Sequence, residues 1–559
     1  MESERKGEDG MYVSRKSVWG RTSAMLALAL SLTMFGCTDN GNDDEPDGGG
    51  NPDAGVPEPD AGPPITATLT GRVTYDFVPA ILTTTPIRGG MLAFAQTSVR
   101  PVRNAAVQVM RGTTVLGTAT TDEDGRYQLT YTAGTGANLT LATLAKTTTP
   151  AIQVEDNTAR NAIWAVSATI TGGTTSRDLH AGHGWTGSSY NPSQRVAAPF
   201  AILDSMYTAS RAFLAVRTVP FPPLKVNWSP NNIAERNNSG DTSTGQIGTS
   251  HFSPSENEVY VLGKEGADTD EFDNHVIVHE WGHYFESNLS RSDNPGGQHI
   301  GGDVLDPRIA FGEGYGNALS AILLPDPLYV DTSWGAGRQT AFGFDMETAA
   351  ADDPTPSVFS EFSVMRLLYD IFDASSAAEA SYDQVNIGLG TLYDVLVGPQ
   401  KTTPALTTIG SFIHGLKAQP GVNAATLDTL AAHYQIGSIR SAFGEGDTQL
   451  AAMYTTVSSL PYNANGTLKG GKPSNQQQQN RYYVFNGTGR TVIISANSTE
   501  DVGIQALQQG TRAGFADDFL RGTESFRFSS QADRQYVLIV TGFKDSTGTY
   551  NYSVSITSP

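Results

Sequence analysis

Two histidines four positions apart, with a glutamate directly after the first, are the residues of this chain best suited to chemistry. They are His279, Glu280 and His283, in the apolar stretch of residues 276–285. On a helix, residues i and i+4 lie on one face, so the two imidazoles can bind one metal ion together. Glu280 is displaced around such a helix and can take a proton from a metal-bound water. The spacing therefore predicts a zinc site with Glu280 as its catalytic base.

The flanks of this motif indicate that it lies on a real helix. Apart from the motif itself, residues 276–285 are uncharged, and a zinc-binding face needs dry, packed neighbours. Asp273 or Asn274 can serve as N-cap, and carboxylates before a helix favour its positive end. The carboxylates in question are Asp268, Asp270, Glu271 and Asp273. The alternative interpretation is a chance match on a buried helix whose histidines are only hydrogen bonded.

A second helix is predicted over residues 310–320, although this segment contains Gly312, Gly314 and Gly316. Each glycine costs about 1 kcal/mol relative to alanine inside a helix. We expect close approach of a neighbouring helix to offset that cost. Glu313 lies near the start of the segment and is flanked by small residues.

A catalytic zinc ion needs three protein ligands and one open position for water. His279, His283 and Glu313 would supply the three ligands of a single catalytic ion. His299 follows a Gly-Gly turn and is the competing third ligand, with a surface loop or a substrate contact as its other interpretations.

Together, the sequences HEWGH at residues 279–283 and FGEGYGN at residues 311–317 resemble the gluzincin zinc metallopeptidases of the fungalysin and thermolysin type. The resemblance covers about 45 residues. It implies a mixed α+β zincin-like catalytic domain that cleaves peptide bonds in a protein or peptide substrate, with Glu313 as the third zinc ligand. In those families an aspartate four residues after this glutamate orients a ligand histidine.

Asn317 stands where those families have that aspartate. An amide oxygen can accept a hydrogen bond from an imidazole N–H, but it brings no charge. We therefore expect the effect of this partner on the ligand histidine to be weaker, or a carboxylate elsewhere to supply it. Asp303 and Asp306 are the candidates.

Two further parts of a peptidase site are expected near the motif. Residues 258–262 predict a short strand, which is either an edge strand that pairs with an extended peptide or an ordinary core strand. A donor that stabilises the transition state should also exist, and the sequence does not rank its candidates. They are Tyr315, Tyr369, His251 and His414.

The N-terminus has the features of an export signal. Residues 1–36 combine a basic flank with a short apolar run and predict a signal peptide. Residues 34–37 resemble a lipobox, which implies lipidation at Cys37 and a bacterial outer-membrane or cell-surface lipoprotein; ordinary secretion is the alternative. Residues 37–65 are acidic and rich in Gly and Pro, with almost no apolar side chains. This composition predicts an unfolded tether.

Three folded regions are predicted after the tether: residues 66–172, 173–455 and 456–559. Alternating apolar residues make the first and third all-β. The stretch TTDEDGRYQL resembles carboxypeptidase-regulatory-like sandwiches, and residues 481–559 resemble the pre-peptidase C-terminal domain. Helical spacing of apolar residues over 199–216, 362–371 and 424–434 predicts three helices and a mixed α+β domain between two β-sandwiches. The polar run at residues 476–479 is interpreted as a linker.

Composition excludes some partners. The chain carries 57 acidic and 36 basic side chains and a formal net charge of −21, whereas nucleic acid and anionic lipid surfaces need a basic face. Contact with a membrane is therefore expected only through the N-terminal lipid. One cysteine excludes disulfides within the chain, so a metal is the remaining cross-link.

The sequence thus predicts an exported zinc metallopeptidase. An aminopeptidase is ranked below an endopeptidase, because no motif for anchoring a substrate amino terminus is evident. The alternative from another class is an inert surface adhesin on a peptidase scaffold. The intact Glu280 argues against that alternative, since a degenerate scaffold has no use for the base.

Overall fold

The computed structural model describes residues 62–83, 89–236, 240–335, 338–348, 353–472 and 475–559. The predicted signal peptide, Cys37 and most of the tether lie outside these ranges. The described chain contains many β-strands and a smaller helical part, which agrees with a multidomain mixture of sheets and helices.

The N-terminal region is built from strands in which apolar side chains alternate with polar ones. In the first strand Leu69, Val73 and Tyr75 are fully or almost fully buried. The strands are β1 (Pro64–Phe77), β2 (Ala80–Thr83), β3 (Gly89–Leu92), β4 (Ser98–Pro101), β5 (Ala105–Arg111), β6 (Thr114–Thr120), β7 (Arg126–Gly134), β8 (Asn138–Thr147), β9 (Ile152–Asp156), β10 (Ala162–Ile163), β11 (Ala165–Thr171) and β12 (Leu179–Ala181).

One sheet continues from this region into the middle of the chain. The middle strands are β13 (Leu224–Trp228), β14 (His251–Ser253), β15 (Glu258–Val261), β16 (Gly263–Lys264), β17 (Asp268–Thr269), β18 (Leu328–Gly335) and β19 (Arg338–Asp345). The strand order β14-β15-β13-β9-β8-β5-β6 places β13 parallel to β9. The predicted boundary at residue 172 therefore falls inside a shared sheet, and both sides contribute to one hydrophobic core.

The helices lie mostly in the middle region. They are α1 (Ala198–Val216), α2 (Asn274–Asn288), α3 (Pro307–Leu323), α4 (Glu361–Phe372), α5 (Leu389–Val395), α6 (Ile409–Lys417), α7 (Ala424–His433) and α8 (Thr448–Ala451). Helices predicted over residues 199–216, 362–371 and 424–434 are confirmed to within one residue at each end, because their apolar spacing matches the buried face each helix presents. Within the described residues, no helix is both long and apolar enough to cross a membrane.

The C-terminal region is a separate pair of sheets. Its strands are β20 (Tyr454–Thr456), β21 (Tyr462–Gly470), β22 (Asn480–Asn486), β23 (Thr491–Ser498), β24 (Val502–Gln508), β25 (Thr511–Ala516), β26 (Gly522–Ser529), β27 (Gln535–Gly542) and β28 (Gly548–Thr557). The sheet orders are β20-β22-β27-β24-β25 and β21-β28-β23-β26. The apolar run in β27 occupies a central position, as a strand buried on both faces should. The two sheets enclose their own core.

The interpretation of residues 476–479 as a linker is wrong. Gln476 forms a β-bridge with Leu305, and the Gln477 N–H donates to the Val304 carbonyl at 2.8 Å. Gln479 is 2% exposed and donates to the Gly471 carbonyl. Polar side chains suggested solvent, but here they satisfy buried backbone groups where the C-terminal region meets the segment before α3.

Candidate metal centre

The two motif segments form helices that pack directly on each other. His279, Glu280 and His283 lie on α2, and Glu313 lies on α3. The expected close approach occurs at Gly316, where a Cβ atom would lie 2.8 Å from ring atoms of His279. A Cβ atom at Gly314 would lie 2.8 Å from a backbone oxygen at the start of α4. The glycines therefore make room for α2 on one side of α3 and for α4 on the other.

The structure brings the three predicted metal ligands together. The Nε2 atoms of His279 and His283 are 3.0 Å apart. Glu313 Oε2 lies 3.4 Å from His279 Nε2 and 3.5 Å from His283 Nε2. Two imidazole nitrogens and a carboxylate oxygen at such mutual distances form a donor set of the kind that zinc takes from proteins.

Hydrogen bonding decides which nitrogen of His279 is free. Asn317 Nδ2 donates to a Glu361 oxygen at 2.7 Å, so the amide turns its oxygen towards the ring. That oxygen lies 2.8 Å from His279 Nδ1, which must then carry the proton. The Nε2 of a neutral His279 is consequently a bare lone pair that faces the Glu313 carboxylate. Acceptor atoms that converge in this way are stabilised by a cation between them. His279, His283 and Glu313 therefore fit a zinc ion.

The electrostatics of the cluster favour positive charge. Burial opposes a charge on His283, but the carboxylates of Glu313, Glu280 and Glu286 outweigh it and raise the pKa of His283 to about 10. Burial likewise opposes a charge on Glu313, yet the neighbouring imidazoles hold the pKa of its carboxyl well below its usual range. The site is thus a buried pocket of negative potential.

Glu280 is held beside the cluster by the sheet. Its Oε2 accepts a hydrogen bond of 2.8 Å from the backbone N–H of Phe252 on β14. Along a strand, successive N–H groups point alternately to its two sides. In the three-residue strand β14, only the N–H of Phe252 points away from the neighbouring strand β15. The carboxylate of the predicted base is therefore fixed in orientation by backbone.

The strand predicted over residues 258–262 is an interior strand. β15 (Glu258–Val261) pairs with β13 on one side and β14 on the other. Of the two interpretations left open by the sequence, the core strand is correct, and β14 takes the edge of the sheet. A sequence pattern shows that a strand is buried, but its neighbours are set by the order of strands in the sheet.

Several residues around the site were not among the predicted site residues. Glu361, the first residue of α4, bonds Asn317. Asn294 Nδ2 donates to Glu313 Oε1 at 2.9 Å and so holds the carboxylate from its other side. The Tyr329 ring lies edge-on to the ring of His279 with centroids 6.5 Å apart. None of these residues has a local sequence signal, because each reaches the site from another element.

His299 lies at the outer side of Glu313. Its Nε2 is 3.5 Å from Glu313 Oε2 and 3.7 Å from Glu361 Oε2. The three groups close enough to share one ion are His279, His283 and Glu313, without His299. The structure thus places His299 against the ligand carboxylate instead of among the ligands.

The other candidates for tuning or assisting the site lie elsewhere. Asp306 caps α3 and binds Arg308, and Asp303 accepts from the Ile300 N–H. In the described part of the chain neither bonds a ligand histidine, whereas Glu361 is connected to His279 through Asn317. His414 is exposed on α6, and the His251 ring stacks on Tyr260.

The tyrosines proposed as donors also point elsewhere. The hydroxyl of Tyr315 is buried and finds no hydrogen-bond partner among the residues that the structure describes, and burial followed by the Glu286 charge raises its pKa. Burial raises the pKa of Tyr369 as well, together with a group of carboxylates that begins with Glu347 and Asp373. Among the predicted donors, no hydrogen bond or ring contact joins any to the ligand cluster in the described part of the chain.

The carboxylates before α2 do not act as expected. Asp273 is at the N-cap position, but its side chain makes no capping bond and instead accepts from Thr332. Glu271 forms a buried ion pair with Arg195. Asp268 and Asp270 lie close to Asp331, and burial is the main cause that raises the pKa of all three. Because the start of α2 is buried, Asp273 and Glu271 bond to other elements of the protein instead of capping the helix.

Comparison with known proteins adds little. No model of a protein family matches the sequence, and no curated protein matches it. Solved structures match over about a fifth of the chain. The pre-peptidase C-terminal domain of a collagenase from Bacillus anthracis is 15% identical, with 18% of this chain and 93% of that chain covered and a TM-score of 0.15.

Two other matches have the same extent. CorA, a surface-associated copper-binding protein of Methylomicrobium album BG8, is 10% identical, with 19% and 98% covered and a TM-score of 0.16. PliG of Salmonella Typhimurium, a periplasmic inhibitor of g-type lysozyme, is 17% identical, with 19% and 98% covered and a TM-score of 0.14. Scores this low carry no argument about the whole chain, so any function has to be argued from the site.

Proposed function

We propose that this protein is an exported zinc metallopeptidase that hydrolyses peptide bonds, with an endopeptidase as the expected form. The observation that carries the proposal is the convergence of His279, His283 and Glu313 on one point next to Glu280. The lipid anchor at Cys37 and the peptide nature of the substrate belong to the same proposal.

The roles follow from the geometry of each group. His279, His283 and Glu313 would hold the zinc ion, which would supply Lewis acidity and lower the pKa of a water at the site to about 7. Glu280 accepts the proton of the attacking water and later donates it to the leaving amine. Its bond to the Phe252 N–H keeps the carboxylate aimed while it changes protonation state. Asn294 and Asn317 hold Glu313 and His279 in place.

The test is Glu280→Gln, with zinc content and peptide hydrolysis measured on the same preparation. We expect the variant to keep its zinc and to lose at least about a hundredfold in kcat, since general-base catalysis contributes roughly that much. Glu256→Gln makes the same chemical change at an exposed position in the turn between β14 and β15, and should leave both quantities unchanged.

Three results would contradict the proposal. Wild-type protein that takes up no zinc would remove the metal site. A zinc-loaded Glu280→Gln variant with undiminished hydrolysis would remove the role of the base. Zinc-loaded wild-type protein that cleaves no member of a broad peptide library would favour the inert surface protein.

A further inference from the structure

Glu361 is placed where a charge can act on the candidate metal site without touching it. It is the first residue of α4, whose preceding N-cap, Ser360, bonds the Ser363 N–H. Gly314 lets the start of α4 come against α3, because any side chain there would meet the Glu361 backbone oxygen. The Glu361 side chain is 10% exposed, so its carboxylate is directed into the protein.

The carboxylate reaches His279 through one amide. Asn317 Nδ2 donates to Glu361 Oε1 at 2.7 Å, and Asn317 Oδ1 lies 2.8 Å from His279 Nδ1. A carboxylate accepts hydrogen bonds and cannot donate them when ionised. It therefore fixes the amide with nitrogen towards Glu361 and oxygen towards the ring.

The amide orientation selects the tautomer of the histidine. With the amide oxygen facing it, His279 carries its proton on Nδ1, and its Nε2 lone pair is free for a metal ion held together with His283 and Glu313. A flipped amide would donate to Nδ1, and the proton would then sit on Nε2, where it blocks metal binding. Asn317 alone could adopt either orientation, because its two ends have the same shape.

We propose that Glu361 is a positioning residue that locks Asn317 and thereby holds His279 in the tautomer that can bind a metal. This inference rests on the proposed zinc site. Asn317 stands where an aspartate would bring a negative charge. In this chain the Glu361 carboxylate supplies that charge, one hydrogen bond further from His279. Among the described residues Glu361 Oε2 has no hydrogen-bond partner, and it lies 3.7 Å from His299 Nε2.

The test exchanges the carboxylate and the amide between Glu361 and Asn317, the two residues behind His279. Glu361→Gln removes the charge and lets the amides turn either way. We expect zinc affinity, measured by competition with a chelator, to fall 10- to 100-fold, the usual effect of losing such a partner. The double variant Glu361→Gln/Asn317→Asp returns a carboxylate next to His279 and an amide donor behind it. Its zinc affinity should recover to within a few-fold of wild type.

Controls separate positioning from simple loss of stability. Asp370→Asn makes the same acid-to-amide change at another buried position of α4, where the side chain accepts a hydrogen bond from Tyr434, and it should leave zinc affinity unchanged. Glu361→Asp keeps the charge but withdraws it by one methylene and should give an intermediate affinity. It serves in place of Glu361→Gln if that variant does not fold. The absorption spectrum of the cobalt-substituted protein should change in the single variant and revert in the double variant.

The outcomes distinguish this inference from the proposed function. If wild-type protein binds zinc and Glu361→Gln binds it equally well, the positioning role is wrong while the metal site stands. The positioning role is also wrong if the folded double variant binds zinc no better than Glu361→Gln. If wild-type protein binds no zinc, the proposed function fails, and the positioning role fails with it.

Discussion

At the scale of single residues, the candidate site depends on positions where a side chain is missing. Gly316 on α3 faces the ring of His279 so closely that an added methyl group would lie 2.8 Å from two ring atoms. An ordinary carbon contact needs about 3.5 Å or more. A glycine that weakens its own helix is thus required for the ligand ring to occupy its position.

Gly316→Ala should therefore displace the His279 ring and lower zinc affinity at least about tenfold, although alanine favours the helix by about 1 kcal/mol. Zinc titration and thermal unfolding on the same protein measure both effects. Gly388→Ala is the matched control, since an added Cβ there meets nothing within 4 Å. An unchanged zinc affinity in Gly316→Ala would contradict this account of the contact between the two helices.

At the scale of elements, α4 connects two buried polar groups. Its first residue bonds Asn317, and further along, Asp370 accepts a hydrogen bond of 2.6 Å from the hydroxyl of Tyr434 next to α7. Burial, followed by the charges of Glu379, Asp373 and Asp383, raises the pKa of Asp370 to about 8, against the opposing effect of the Tyr434 bond. The folded protein therefore favours the protonated form of this carboxyl, although the Tyr434 hydrogen bond by itself favours the ionised form.

The raised pKa predicts how stability depends on pH. Below the pKa of about 4 in the unfolded chain, Asp370 is neutral in both states and its contribution is fully present. As pH rises from about 4 towards 8, unfolding releases a proton, and that contribution is lost. In Asp370→Asn the loss cannot occur, so the decline of Tm between pH 5 and 8 should be shallower by at least a few degrees.

Asp394→Asn is the control for this measurement. Asp394 is 41% exposed and pairs with Arg217 across the protein surface. The hydrogen bond from Arg217 lowers the pKa of Asp394, so its contribution is lost only as pH falls through the acid range. Its substitution should leave the slope of Tm between pH 5 and 8 unchanged. An equal slope in wild type and Asp370→Asn would contradict the assignment.

At the scale of the whole molecule, the C-terminal sandwich is attached to the candidate site. Asp306, the N-cap of the helix that carries Glu313, is fully buried and accepts from Arg308, Asn480 and Tyr482. Asn475 donates to the Gln298 carbonyl at 2.6 Å, next to His299. The C-terminal region thus supports the start of α3 and the segment that precedes it.

Asp306→Ala should lower the free energy of unfolding by about 3–5 kcal/mol, because it leaves the Arg308 guanidinium buried without its partner. Zinc affinity should fall with it, since the start of α3 is released. Tyr482→Phe removes a single hydroxyl from the same contact and should cost only about 1 kcal/mol. Denaturant unfolding and zinc titration measure both variants; equal effects of the two substitutions would contradict the buried ion pair as the main contribution.

The sequence by itself determined the local elements and predicted the residues of the candidate site. Helical spacing places His279 and His283 on one face, and the glycines around Glu313 predict a close helix neighbour, as found at Gly316. Period-two alternation likewise predicted the strands at both ends of the chain. These inferences succeed because they depend on local geometry, which repeats every turn of a helix or every second residue of a strand.

Only the tertiary structure decided which groups complete the site. Asn317 and Glu361 are 44 residues apart, and nothing in either local sequence pairs them. The same is true of Phe252 and Glu280, of the sheet shared across residue 172, and of the polar run at residues 476–479. In each case the partner is chosen by packing and strand order, which bring together segments whose separation along the chain carries no periodic signal.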